Sequence, residues 1–167
     1  TPLHELAPML HNSLVGGHFT IPLGSAPWTV SLDYLRFPPR PEPELDAEGE
    51  PIEVEKVDVL EALDPSALPP FDFATAELSI GEQNLGAFDF RFRPERDGAA
   101  ITEFRMQAED SRISDVTGTG GAYIDWRYSN GRHTSTFNGI FSGTNLAGVL
   151  PRWGHGANVE SEEATFS

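Results

Sequence analysis

The chain has no cysteine, a single lysine (Lys56) and no run of 18 apolar residues. Without cysteine there are no disulfides, thiolate zinc sites, iron–sulfur ligation or cysteine nucleophiles, and the redox compartment stays open. Without a long apolar run there is no bilayer-spanning helix in the sequence. Positive charge is scarce: 11 Lys and Arg stand against 26 Asp and Glu, a net charge of −15. A clustered positive face, which nucleic-acid binding needs, is therefore not expected. The chain opens on Thr1, and no basic n-region precedes an apolar h-region, so a piece of a larger or processed protein is expected.

What is present fits one turn-rich domain of 167 residues. Gly (16) and Pro (14) are frequent yet stay below the share of about 25–30% that marks low-complexity chains. Eleven Phe supply material for a core.

Three regions follow along the chain. Region 1–37 begins with Leu3, Leu6, Met9, Leu10 and Leu14 at a helical spacing that Pro8 interrupts and Gly16-Gly17 ends. A short β segment, 18–22, and a strand WTVSLDYLRF, 28–37, come next. Region 38–70 is rich in Pro, and ten acidic residues against one lysine lie between Glu42 and Asp64. It reads as a solvated acidic insertion or loop; a cation-binding patch is the alternative, but no spaced acidic calcium loop supports it. In it, Val57, Val59, Leu60 and Leu63 could dock a short helix or strand.

Region 71–167 reads as an antiparallel β meander. Strands are expected near 71–80, 84–93, 99–108, 111–118, 121–129 and 132–142, with turns at Gly81, Asp97-Gly98, Glu109-Asp110, Gly120-Gly121 and Asn130-Gly131. Asn130-Gly131 predicts a two-residue type I′ turn, because both centres need positive φ. That turn pairs Ser129 with Arg132, Trp126 with Ser135 and Ile124 with Phe137, leaving Asp125, Arg127, Thr134 and Thr136 on the other face. Leu146, Val149, Leu150 and Trp153 predict a short helix over 144–153, and a further strand begins at Ala164. The fold class is thus mainly β: a curved antiparallel meander sheet of repeating β-groove type with one or two short helices.

Motifs for chemistry are few. His4, His11 and His18 are seven apart, but Pro8 and Gly16-Gly17 break any helix that would align them. There is no HExxH, no GxSxG elbow, and no phosphate loop around Gly118, Gly120 and Gly121. No catalytic residue, metal ligand or cofactor is expected. The aromatic residues leave three readings open: a sugar platform of Tyr123, Trp126, Tyr128 and Trp153, an ordinary sheet core, or an uncovered apolar surface that needs a hydrophobic partner.

The order of pieces from about 68 to 167 resembles the C-terminal part of the YhdP proteins, in the AsmA-like family of Gram-negative envelopes. Asn84-Leu85-Gly86, Arg93-Pro94, Gly118, Gly120 and Trp126 carry the resemblance. So do the run Asn145 to Leu150, Trp153-Gly154 and the run Val159 to Ser161 leading to Phe166. The acidic stretch 38–64 looks like an insertion.

The resemblance implies a soluble module of a long periplasmic protein anchored in the inner membrane. Its stacked β-groove modules would present a hydrophobic groove for phospholipid transport between the inner and outer membranes. Phe88, Phe90, Phe92, Phe104, Met106, Ile124, Trp126, Phe137 and Phe141 are the groove candidates. Implied partners are phospholipid acyl chains, neighbouring modules of the same chain and envelope proteins at either membrane. In water an acyl chain loses about 0.8 kcal/mol per CH₂, which an unbroken apolar trough removes without any specific bond. The competing class is a carbohydrate- or protein-binding β-sandwich of a secreted protein, with its apolar faces closed on each other.

Overall fold

A computed structural model describes residues 5–6, 8–39, 63–144 and 164–166. Among them twelve strands build one sheet. They are β1 (Glu5–Leu6), β2 (Met9–His11), β3 (Val15–Pro22), β4 (Trp28–Phe37), β5 (Phe71–Ile80), β6 (Gln83–Glu95), β7 (Gly98–Gln107), β8 (Ser111–Ser114), β9 (Ala122–Ser129), β10 (Arg132–Asn138), β11 (Ile140–Gly143) and β12 (Ala164–Phe166). A 3-10 turn, Pro65–Ala67, is the one helical piece among the described residues.

The centre of the sheet runs β3-β4-β5-β6-β7, with β1 and β2 both on β3 at one side. Beyond β7 the sheet forks. The Met106–Gln107 end of β7 pairs with β8, which leads on to β11 and β12. The stretch from Gly98 to Phe104 pairs with β9, which carries β10. Register shifts in β3–β4, β5–β6, β6–β7 and β7–β9 insert extra residues into the paired strands and bend the sheet.

Strands β4 to β7 and β9 fall within two residues of their expected bounds, because aromatic and β-branched residues alternate between clear turn signals. The Asn130-Gly131 turn forms with φ of 53° and 72° and sets the expected register, Ser129 to Arg132 through Ile124 to Phe137. A strand does begin at Ala164, paired with β11.

Several expectations are corrected. The described part of the N-terminal segment is extended, not helical, and lengthens the sheet at its edge. Pro8 cannot donate to a helix, and Asn12 closes a turn by accepting from the backbone N–H groups of Leu14 (2.8 Å) and Val15 (2.9 Å). Strand β4 pairs with β5 in parallel, so the sheet is not a pure antiparallel meander. A crossover from Phe37 to Phe71 makes this possible, since parallel neighbours need a long connection. The expected strand 111–118 ends at Ser114, where Asp115 gathers the following loop. The expected strand 132–142 is two strands in different branches, parted at Gly139, where a Cβ would collide with Ala122, Ser114 and Phe137. The closed sandwich is not what forms: the described strands make a single sheet. The helix expected over 144–153 and the bulk of the acidic stretch lie outside the described residues.

Candidate functional site

The register assembles side chains into transverse ladders. One runs across six strands, from Trp28 to Phe71, Phe92, Ile101, Ile124 and Phe137. A second joins Phe19, Val30, Phe73 and Phe90, and ring contact at 6.2 Å carries it to Phe104 beyond the β7 bulge. A third joins Leu32, Thr75, Phe88, Met106, Ile113 and Phe141. Directly paired residues project to the same side of a sheet, so the three ladders share one face.

All nine groove candidates sit there. Phe92, Ile124 and Phe137 lie in the first ladder, Phe90 and Phe104 in the second, and Phe88, Met106 and Phe141 in the third. Trp126 is one step along, paired with Ala99 and edge-on to Phe92 at 6.5 Å. The rings interlock as well as align. Phe71 stacks on Phe92 at 4.7 Å and Phe73 on Phe90 at 5.0 Å. Leu85, Phe88 and Met106 form the buried heart, with Phe73, Leu78, Ile80, Phe104, Ile113 and Phe141 packed against it. The face opens outward at Phe137, which is 46% exposed.

Sequence reasoning missed Trp28, Val30, Phe71, Phe73, Ile101 and Ile113. Phe71 and Phe73 were visible as an alternating pair at the start of β5. Their membership follows from the local β5–β6 hairpin, whereas Trp28 and Val30 join only through the parallel β4–β5 pairing, which no local pattern encodes.

The opposite face is polar and paired. Arg93 meets Asp72 at 2.6 Å, Arg105 bridges Asp89 (3.1 Å) and Glu103, and Arg127 bridges Asp125 (2.7 Å) and Glu95 (2.9 Å). These side chains keep roughly a third to a half of their surface in water, so the pairs add little stability and mainly fix which side faces solvent. The Asp125 carboxylate, and then Glu95, push the Arg127 guanidinium further above its ordinary value. A depression of about 460 Å³ lined by Arg127, Ser129, Asn130, Arg132 and Thr134 lies on this polar side of the β9–β10 hairpin, away from the aromatic ladders.

At the hairpin end of the aromatic face, Tyr128 stacks on His133 at 4.6 Å. Trp126 Nε1 donates to His133 Nδ1 at 3.1 Å. Of the proposed sugar platform, Tyr123 points to the other face, so Trp126 and Tyr128 do not share a surface with it. Trp153 lies outside the described residues.

Among the described residues no group of three or more His, Asp or Glu is placed to hold a metal ion, and no helix is long and apolar enough to cross a membrane. The arrangement offers extended apolar contact on one side and solvated ion pairs on the other.

A family model described as YhdP protein matches residues 8–167. The match reaches through the N-terminal strands and the acidic stretch, well beyond the portion from residue 68 that carries the resemblance in sequence. No curated protein and no solved structure matches the chain.

Proposed function

The chain belongs to the YhdP family, and on that premise we propose that its aromatic face is a groove surface for phospholipid acyl chains. The observation that carries this reading is the continuity of the ladders. An unbroken apolar row crosses six strands on one face, while the other face is held in water by ion pairs.

An acyl chain sliding along such a row keeps its methylenes out of water at every position, each worth about 0.8 kcal/mol. Aromatic and aliphatic side chains have no directional demand, so no step binds more tightly than the next and the chain is free to move on. The headgroup stays in water at the open side. In this reading the chain is one module of a periplasmic bridge between inner and outer membranes. Neighbouring modules of the same protein continue the groove, and envelope proteins meet it at either membrane.

The test is Phe90→Glu. A charge on a groove open to solvent leaves the fold standing and abolishes binding of a fluorescent fatty acid. In a dry closed core the same unpartnered charge costs several kcal/mol and unfolds the chain. Unfolding of the variant, together with no acyl binding by the wild type, removes the groove reading.

A further inference from the structure

Residues 63–70 do not merely connect β4 to β5. The 3-10 turn Pro65–Ala67 packs on β6, β7 and β9, three adjacent strands, and so crosses the sheet instead of following its edge. Pro65 is among the most deeply buried residues, under 2% exposed. The side it lies on follows from exposure. On the polar face of those strands, Arg93 and Asp125 keep 34% and 30% of their side-chain surface in water. On the aromatic face, Phe92 keeps 2% and Ala99 none. The contrast favours the aromatic side, over Phe92 and Ala99, although Ala100 between Arg93 and Asp125 is also buried at 6%.

Its hydrogen bonds are local. Asp64 Oδ1 accepts from Ser66 N (2.9 Å) and Ser66 Oγ (2.6 Å), and Ala67 N donates to Asp64 O at 3.1 Å. The only bond that leaves the segment among the described residues is at its far end, where Trp28 N donates to Pro70 O at 2.9 Å. Among the described residues the turn's hydrogen bonds are thus internal, apart from the one at Pro70.

We infer that residues 63–70 are a removable strap that covers the Phe92–Ala99 end of the aromatic face and competes with an acyl chain for it. The competition rests on the groove reading above; the covering does not. Strap and acyl chain make the same kind of contact, so one replaces the other with no directional bond broken, and the strap's internal bonds let it leave as a unit.

The chain has no cysteine, so Ala99→Cys gives a single reporter thiol. The experiment measures its maleimide labelling rate and the binding of a pyrene-labelled fatty acid, with and without Pro65→Glu, which places a charge under the strap and expels it. Labelling at least tenfold faster with Pro65→Glu, with tighter fatty-acid binding, is the expected result. Faster labelling with no fatty-acid binding in either protein keeps the cover and overturns the competition and the groove reading together. Unchanged labelling overturns the strap whatever the probe does. Should Pro65→Glu not fold, Asp64→Ala removes only the turn's side-chain acceptor and is expected to speed labelling severalfold; no change there equally overturns the strap.

Discussion

Phe92 sits where the first ladder meets the strap, stacked on Phe71 and edge-on to Trp126, with 2% of its surface exposed. Phe92→Ala leaves a cavity that these rings cannot fill, and a loss of about 3–5 kcal/mol is expected from urea unfolding with an unchanged slope. Gly98 has φ of 154°, and a Cβ there would collide with the Trp126 carbonyl oxygen. Gly98→Ala is expected to cost about 3 kcal/mol, read by the same titration, because the obstacle is backbone and cannot turn aside. Asp115 bears on acid stability. The Thr117 hydroxyl, and then the backbone N–H groups of Gly120, Thr119 and Thr117, hold its carboxyl below the usual value. A depressed native pKa stabilises the fold above the unfolded value, and that contribution is lost as pH falls through the native one. Amide exchange at Thr119 and Gly120, after correction for intrinsic rates, is therefore expected to accelerate below about pH 4. Asp115→Asn should remove that dependence.

Single elements divide sharply in how far the sequence reveals them. The β9–β10 hairpin was legible in full, because Asn130-Gly131 selects one turn type and a period of two then assigns each side chain a face. Gly131 has open space around it, so Gly131→Ala meets only the strain of its 72° φ. A cost of about 1–2 kcal/mol is expected by thermal unfolding, with the Ile124–Phe137 cross-strand contact intact by NMR. The N-terminal strands were not legible. Leu6, Met9, Leu10 and Leu14 mimic a helical stripe, but Met9 is 83% exposed and Leu14 50%, so no core selects that stripe and edge pairing wins. The strap was also hidden. Pro and acidic residues mark 38–70 as loop, and nothing local shows that its last eight residues return across an apolar face. The candidate residues on β6, β7 and β9 were found because alternation is local. Their partners on β4, Trp28 and Val30, were missed because a parallel crossover is not.

At the scale of the whole molecule, the described residues form a sheet with two unlike faces and a forked end. Its net charge of −15 favours an unaggregated chain, since self-repulsion discourages contact between aromatic faces of neighbouring molecules. Raising salt screens that repulsion, and light scattering is expected to show growing association between low and high ionic strength. The fork gives the sheet two separate ends at one side, β10 and β12, where a barrel would have none. The central claim is that lipid occupies one face and not the other, and two residues of similar exposure on opposite faces of the β9–β10 hairpin allow a direct comparison. Phe137, 46% exposed, lies on the aromatic face, and Tyr123, 39% exposed, on the polar one. A photo-crosslinking benzoylphenylalanine is placed at each in turn in cells, and the purified protein is weighed by mass spectrometry. The account predicts phospholipid adducts at position 137 and none at 123. Equal adducts at both positions, or none at either, would contradict it.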